Sequence, residues 1–119
     1  MKIAISSETG KLSGPVDTRF GRARGFIIHD TVTGENNFID NTQNLNSAQG
    51  AGIQSAKTVI NAGAEVLITG NVGPKAFSAL NTAKIKVFTG AEGSALEALE
   101  SYRTGLLIKA DEANVESHW

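Results

Sequence analysis

The strongest constraint on the fold is an alternation of apolar runs and helical periodicity in the second half of the chain. Apolar residues recur at helical spacing from Ile53 to Ile60 and stop before Gly63, a common residue just after a helix. Residues 65–69 then form a short run rich in aliphatic side chains, which is typical of a buried parallel strand. Strand–helix–strand units imply right-handed parallel crossovers, so this half predicts an α/β fold.

The same alternation continues toward the C-terminus. Pro74 stands where a second helix would begin, and residues 85–89 are typical of a further strand. Ser94 followed three residues later by Glu97 predicts a capping box at the start of a third helix. Residues 106–108 are predicted as a last short strand.

The first half of the chain adds a strand, a long loop and a hairpin. Residues 2–6 are predicted as strand 1, and residues 7–24 as a long loop that contains glycine and proline. Residues 25–30 and 37–40 form the strands of a β-hairpin, and residues 41–52 are a polar loop. The simplest arrangement is a mixed five-stranded sheet of order 3-2-1-4-5, with helices on its faces.

Length and composition limit the classes of protein. The 119 residues fit one domain, predicted over 1–109, with a polar tail at 110–119 that we expect to fray. The absence of cysteine excludes a disulfide scaffold, a zinc ribbon, a thiol nucleophile and a thiolate-held iron–sulfur cluster. No apolar run approaches the ~18 residues of a membrane helix, and the N-terminus does not resemble a signal peptide. We therefore expect a cytoplasmic protein without a membrane partner.

A net charge of −1 does not indicate a nucleic-acid partner, yet it conceals a basic segment. Between residues 11 and 25 four cations face one acid, Asp17, which gives this segment a net charge of +3 and the rest of the chain −4. The cations are Lys11, Arg19, Arg22 and Arg24. A solvated loop explains them, and so does an arginine clamp for an anion, in which Phe20 beside Gly21 would anchor the loop on the sheet.

A glycine turn between strand 4 and helix 2 is the second candidate for an anion site. Glycines in the segment from Gly70 to Gly73 let the backbone approach a ligand, and a helix start offers unpaired N–H groups. Lys75 opposes the helix dipole, which a bound anion would compensate. The segment is not a Walker A loop, and an ordinary tight connection explains it equally well.

The turn from Gly90 to Gly93 repeats this pattern one strand further on. The carboxyl ends of strands 1, 4 and 5 meet where the sheet order diverges, a position that favours ligand crevices. Closure of the 41–52 loop over this crevice is a further hypothesis. The predicted cofactor-binding residues are Arg19, Phe20, Gly21, Arg22, Arg24, Gly70, Asn71, Val72, Gly73, Lys75, Gly90 and Gly93.

Catalytic residues are poorly represented. His29 has no recognisable serine or acid partner and is interpreted as structural, and His118 lies in the tail. Asp17, Asp30 and Asp40 lack the spacing of a two-metal carboxylate site. A nuclease of the RNase H type needs acids on the central strand, and residues 2–6 contain none. The sequence therefore predicts a binding protein, not an enzyme.

Three separated motifs resemble those of the dinitrogenase iron–molybdenum cofactor biosynthesis family, which includes the NifX type and the C-terminal domain of NifB. The resemblance spans about residues 1–108. The motifs are Asp17-x-Arg19-Phe20-Gly21-Arg22, Gly50-x-Gly52-Ile53-Gln54-x-Ala56 and Gly70-x-x-Gly73-Pro74-x-Ala76.

This resemblance implies a three-layer α/β/α, RNase-H-like fold without nuclease activity. It also implies that the protein binds, stores or delivers a metal–sulfur cofactor and exchanges it with a donor or recipient protein. Many relatives carry His or Cys in the loop before the first helix, whereas residues 44–50 contain neither. The chain in this respect is similar to the orange-protein branch, whose members hold a molybdenum–copper sulfide cluster without cysteine ligation.

The expected ligand is therefore an anionic metal–sulfide cluster held by arginines and backbone amides, with no direct side-chain ligand to the metal. A molybdenum–copper sulfide is the best specific candidate, and an iron–molybdenum cofactor precursor is the alternative. A phosphate- or nucleotide-binding module that uses the same crevice is a second hypothesis, since phosphates are also anions.

Overall fold

Residues 1–44 and 50–115 are described by a computed structural model, in which five strands form one mixed sheet. The strands are β1 (Lys2–Ser7), β2 (Gly25–Asp30), β3 (Asn36–Asp40), β4 (Val66–Ile68) and β5 (Lys86–Phe88). Their order is β3-β2-β1-β4-β5, with β1 antiparallel to β2 and parallel to β4. The predicted mixed α/β sheet and its strand order are confirmed.

Three α-helices follow the predicted order, although the first begins earlier than expected. They are α1 (Ala51–Asn61), α2 (Pro74–Thr82) and α3 (Ala95–Arg103). Helix α1 starts two residues before Ile53, and Thr42–Asn44 forms a short 3-10 helix, so the prediction of a loop over 41–52 is partly wrong. Residues 45–49 lie outside the described residues, as does the hypothesis that they close over a ligand.

Local signals at the helix ends are confirmed. Gly63 takes φ 79°, and Pro74 is the first residue of α2. Ser94 and Glu97 form the predicted capping box of α3. These signals are local hydrogen-bond and dihedral preferences, so the surrounding fold does not need to be known to predict them.

Two hydrophobic cores lie on opposite faces of the sheet. Alternate residues of β1 point into the two cores. Ala4 packs under α1 and α2, and Ile3 and Ile5 pack under α3. Burial of each isoleucine contributes roughly 1.5–3 kcal/mol. Because each helix leads into or follows a parallel strand, all three helices begin at the carboxyl edge of β1, β4 and β5. The fold therefore places three helix N-termini at one edge of the sheet.

The C-terminal segment differs from its prediction. Residues 106–108 are not a strand, and pairing beside β5 is limited to a single bridge between Phe88 and Lys109. The expectation that the tail frays is wrong for residues 110–115, because Ala110 donates its N–H to Val87 O at 2.7 Å and Asn114 hydrogen-bonds to the turn after β4. The domain limits at 109 stay a prediction. None of the described helices has the length and apolar character needed to cross a membrane.

Candidate functional site

The long loop after β1 folds back onto the carboxyl edge of the sheet. The N–H of Asp17 donates to Ser6 O at 2.9 Å, and Ser6 Oγ lies 2.6 Å from the carbonyl oxygen of Asp17. Ser6 Oγ is also 2.8 Å from Thr69 Oγ1, directly after β4. These buried contacts join two parallel strands to the start of the arginine-bearing segment, so its position is fixed by the sheet.

The carboxylate of Asp17 organises this segment through its backbone. Its Oδ1 accepts the N–H of Arg19 and its Oδ2 accepts the N–H of Arg24, each at 3.2 Å. Among the described residues, no carboxylate lies within salt-bridge distance of the guanidinium groups of Arg19 or Arg24. The buried acid therefore shapes the loop without neutralising these two side chains.

Phe20 is the anchor that the sequence predicts. Its side chain is fully buried, with the ring centroid 5.4 Å from that of Phe26. Its N–H donates to Asn71 O at 3.0 Å, and Asn71 Nδ2 donates to Thr18 O at 3.0 Å. A Cβ on Gly70 would stand 2.7 Å from Thr18 Cα, so only glycine permits this approach. Arg19 is consequently held beside the turn after β4.

Arg22 adjoins helix α1 through a buried polar network that the sequence did not reveal. Its Nη1 donates to Asn44 O at 3.4 Å, and Asn44 Nδ2 donates to Asn41 Oδ1 at 2.8 Å. Asn41 Nδ2 in turn donates to Ser55 Oγ on α1 at 3.0 Å. The sequence shows only that three asparagines lie between residues 41 and 46. Their spacing does not indicate which groups they contact.

Arg24 does not join the other two arginines. It lines a shallow hollow with Phe38 and Asp40, and Phe38 stands opposite Ile27 on the face that α3 covers. Hydrogen bonds from Thr42 lower the pKa of Asp40, with a smaller contribution from Arg24. The predicted cluster of three arginines is thus divided. Arg22 contacts Asn44 ahead of α1, whereas the backbone of Arg19 pairs with Asn71 ahead of α2.

The N-termini of α1 and α2 lie against each other. A Cβ on Gly52 would stand 3.1 Å from Ala76 Cβ, so the first turns of the two helices are in contact. Neither helix has a side-chain cap or an acid in its first turn. The N–H groups of Gly52, Ile53, Lys75 and Ala76 donate to no acceptor among the described residues. These donors, with the exposed Lys75, form an electropositive pair of helix starts.

The N-terminus of α3 is closed, in contrast to the prediction for the turn from Gly90 to Gly93. Gly90 N–H donates to Gly70 O at 2.9 Å. Ala95 and Leu96 donate their N–H groups to carbonyls of the loop after β1, and Ser94 Oγ accepts the N–H of Glu97. The backbone N–H of Ser94 lowers the pKa of Glu97. Gly90 adjoins the crevice, but its own N–H and that of Ala91, which donates to Thr69 O at 3.2 Å, are already engaged.

One donor of the Gly70–Gly73 turn is also engaged. The N–H of Val72 donates to Asn114 Oδ1 at 2.8 Å, so a residue of the predicted tail occupies the position expected for a ligand atom. Gly70 and Asn71 serve mainly to hold the loop after β1, through the contacts with Thr18.

The remaining titratable candidates have structural positions. His29 Nε2 lies 3.0 Å from Arg103 Nη2, and Nδ1 lies 2.8 Å from Asn36 Oδ1. A guanidinium only donates, so Nε2 accepts and Nδ1 carries the proton. Asp30 and Asp40 stand at opposite ends of the hairpin. In residues 1–44 and 50–115, no three His, Asp or Glu side chains are grouped as a metal site.

Comparisons with known proteins agree with this architecture. The model of the dinitrogenase iron-molybdenum cofactor family matches residues 1–105. The structure of the apo form of the orange protein from Desulfovibrio gigas superposes with a TM-score of 0.93 at 41% identity and covers 96% of both chains. A NifB-like protein from Thermotoga superposes with a TM-score of 0.80 at 36% identity over 91% of both chains.

A relative of known sequence shows similar coverage. The uncharacterized protein MJ0580 of Methanocaldococcus jannaschii is 33% identical over 112 residues, which are 92% of this chain and 91% of that protein. The chain therefore belongs to the dinitrogenase iron–molybdenum cofactor family. This family is of the cofactor-binding and carrier type, and membership supports a role in the binding or biosynthesis of a metal–sulfur cofactor.

Proposed function

We propose that the protein is a non-enzymatic carrier that binds, stores or delivers an anionic metal–sulfide cluster. The observation that carries this proposal is the pair of uncapped helix starts, α1 and α2, beside Arg19 and Arg22. A molybdenum–copper sulfide is the best specific candidate, because the chain is similar to the orange protein over 96% of its length and has no cysteine that could ligate a cluster. An iron–molybdenum cofactor precursor is the alternative.

The chemistry of the donors fits a preassembled anion. Inorganic sulfides accept hydrogen bonds, and the helix starts present N–H groups together with the positive ends of two helix dipoles. A charge-assisted hydrogen bond contributes roughly 1.5–3 kcal/mol, so several of them suffice to hold a multiply charged cluster. No bond from a protein side chain to the metal is required.

The charge pattern supports the same proposal. Between residues 41 and 82 the one acid is Glu65, which directly precedes β4 at the opposite edge of the sheet from the helix starts. A negatively charged cargo therefore meets cations and donors at this edge without an acid from α1 or α2. Arg19 and Lys75 are exposed, which suits transfer to or from a donor or recipient protein.

The direct test is cluster uptake by a variant that lacks both arginines. Apo protein with Arg19→Ala and Arg22→Ala is titrated with tetrathiomolybdate and copper, and visible absorption reports uptake. We expect affinity to fall roughly tenfold or more for each arginine. Arg24→Ala is the matched control, because Arg24 lines a different hollow and should leave uptake unchanged. Unchanged uptake by the double variant would contradict the arginine role.

A phosphate- or nucleotide-binding module is the second candidate, because open helix N-termini also suit phosphates. The two functions separate in a thermal-shift experiment with the same apo protein. Stabilisation by thiomolybdate with copper, and none by nucleotides, supports the carrier. The reverse result supports the nucleotide module.

A further inference from the structure

The C-terminal tail binds the turn that follows β4 through one asparagine. Asn114 Oδ1 accepts the N–H of Val72 at 2.8 Å, and Asn114 Nδ2 donates to Gly70 O at 3.3 Å and Asn71 Oδ1 at 3.1 Å. The backbone N–H of Asn114 also donates to Val72 O at 3.2 Å. The amide is therefore matched on both its donor and its acceptor side by a turn about 40 residues earlier in the chain.

The side-chain oxygen of Asn114 accepts a backbone N–H near a helix start, as an oxygen or sulfur atom of a bound anion would. The N–H of Val72 belongs to the residue before Gly73, the N-cap of α2. Asn114 Oδ1 satisfies that donor, while the N–H groups of Lys75 and Ala76 in the first turn of α2 have no partner among the described residues. An acceptor oxygen from the tail thus stands next to the donors that the proposed function assigns to the cluster.

The charge of the tail complements the same region. Residues 110–119 contain three acids, Asp111, Glu112 and Glu116, and no lysine or arginine. The contacts of Asn114 bring the described part of this segment, residues 110–115 with Asp111 and Glu112, to the turn that precedes the exposed Lys75. Attraction of the tail to the site is consistent with these charges, and an anion bound at the site would repel the tail.

Asn71 connects the tail to the arginine loop. Its Oδ1 accepts from Asn114, and its Nδ2 donates to Thr18 O, the residue before Arg19. One side-chain amide therefore contacts both segments. A change in the tail reaches the segment that carries Arg19 through two consecutive hydrogen bonds.

We propose that the tail is an internal competitor of the anionic cargo, held on the turn by Asn114 and displaced when the cargo binds. This inference rests on the proposed function, since it concerns access to the same site. Asn114 is exposed, so water competes for its hydrogen bonds and the contact is weak enough to open. Only molecules whose tail is released can bind the cargo, so the apparent affinity falls as the fraction of molecules with a bound tail rises.

The experiment compares Asn114→Ala with wild-type protein, both as full-length chains. Titration with tetrathiomolybdate and copper should show a roughly two- to tenfold higher affinity for the variant, as expected when a few weak hydrogen bonds no longer compete. Asn81→Ala on α2 is the matched control, because Asn81 is exposed and its side chain makes no hydrogen bond among the described residues. It should bind like the wild type.

A second measurement in the same proteins does not depend on the cargo. Amide hydrogen exchange at Val72 should be faster in apo Asn114→Ala than in the apo wild type, because the donor loses its acceptor. Equal affinity of Asn114→Ala and wild type, in a wild type that does bind, overturns the competitor role alone. A wild type that takes up no thiomolybdate contradicts the proposed function and, with it, this inference.

Discussion

The start of α3 and the starts of α1 and α2 lie at the same edge of the sheet but differ in their hydrogen bonding. Every N–H of the first turn of α3 has a partner, from its capping box or from the loop after β1. Helices α1 and α2 have no side-chain cap and no acid in their first turns, and α2 carries Lys75 there. In the part of the chain that the structure describes, the same topology thus produces one closed helix start and two open ones.

The difference in hydrogen bonding bears on which helix starts can bind an anion. Glycine stands at both N-caps, Gly50 and Gly73, where it is about a few tenths of a kcal/mol less favourable than a capping side chain, so each of the two adjacent starts lacks a small local stabilisation. Proteins break such local rules mainly at functional positions. The open pair also carries a cation, Lys75 of α2, whereas the closed start carries Glu97. The contrast supports an anion site at α1 and α2 and none at α3.

The largest effect is expected from separating the two open starts. Gly52→Val places methyl groups beyond a Cβ that would already stand 3.1 Å from Ala76 Cβ, so the first turns of α1 and α2 must move apart. We expect a loss of about 1–3 kcal/mol in the free energy of unfolding, together with weaker cluster uptake. Gln54→Val, at an exposed position of α1, is the control for the effect of valine itself on the helix. Since valine is a better helix former than glycine, helix propensity does not explain a loss of stability at Gly52. Equal unfolding midpoints for the two variants would argue against close contact.

A smaller effect is expected from converting α2 to the charge pattern of α3. Lys75→Glu puts an acid in the first turn, which should stabilise α2 by about 0.3–1 kcal/mol while it repels an anionic cargo. Thermal denaturation and thiomolybdate titration should therefore change in opposite directions. Lys57→Glu makes the same charge change in the seventh position of α1 and should affect uptake less. A higher affinity of Lys75→Glu for thiomolybdate would contradict an anion site at the start of α2.

The smallest effect concerns the closed start and its pH dependence. The N–H of Ser94 lowers the pKa of Glu97 below the ordinary 4.5, so the carboxylate stabilises the fold above that pH. This stabilisation is lost as pH falls through the lowered pKa. Glu97→Gln keeps the acceptor oxygen but not the charge, so its stability difference from wild type should be present at pH 6 and smaller at pH 3. A difference that is the same at both pH values would contradict this origin.

Cluster uptake by Glu97→Gln tests whether the closed start of α3 takes part in binding. Cluster binding by Glu97→Gln at neutral pH should equal that of the wild type, because the donors of α3 are already bonded. A clear gain in uptake would show that the closed start takes part in binding after all.

The elements of the fold were predictable because their signals are local. Alternation and apolar runs predicted the sheet order, and Pro74 and the Ser94–Glu97 pair predicted helix starts. The start of α1 was placed two residues late, because Ala51 and Gly52 carry no apolar periodicity. The predicted strand at 106–108 failed because apolar residues alone do not supply a pairing partner.

The state of the donors at the site was not predictable in the same way. Whether the first turn of α3 offers free N–H groups depends on carbonyls of Leu12 and Gly14, which lie some 80 residues earlier in the chain and accept from Leu96 and Ala95. The capture of Val72 N–H by Asn114 is likewise a long-range contact. Such bonds leave no periodicity in the sequence, and the sequence therefore located the cations and turns without their hydrogen-bond partners.

The most direct test of the open helix starts is a comparison of backbone amide signals in apo and cluster-loaded protein by ¹H–¹⁵N NMR. The central claim predicts large shifts for Gly52, Ile53, Lys75 and Ala76, whose donors face no partner among the described residues. It predicts small shifts for Ala95, Leu96 and Glu97 at the closed start of α3. Large shifts at α3, with unchanged signals at α1 and α2, would contradict the account.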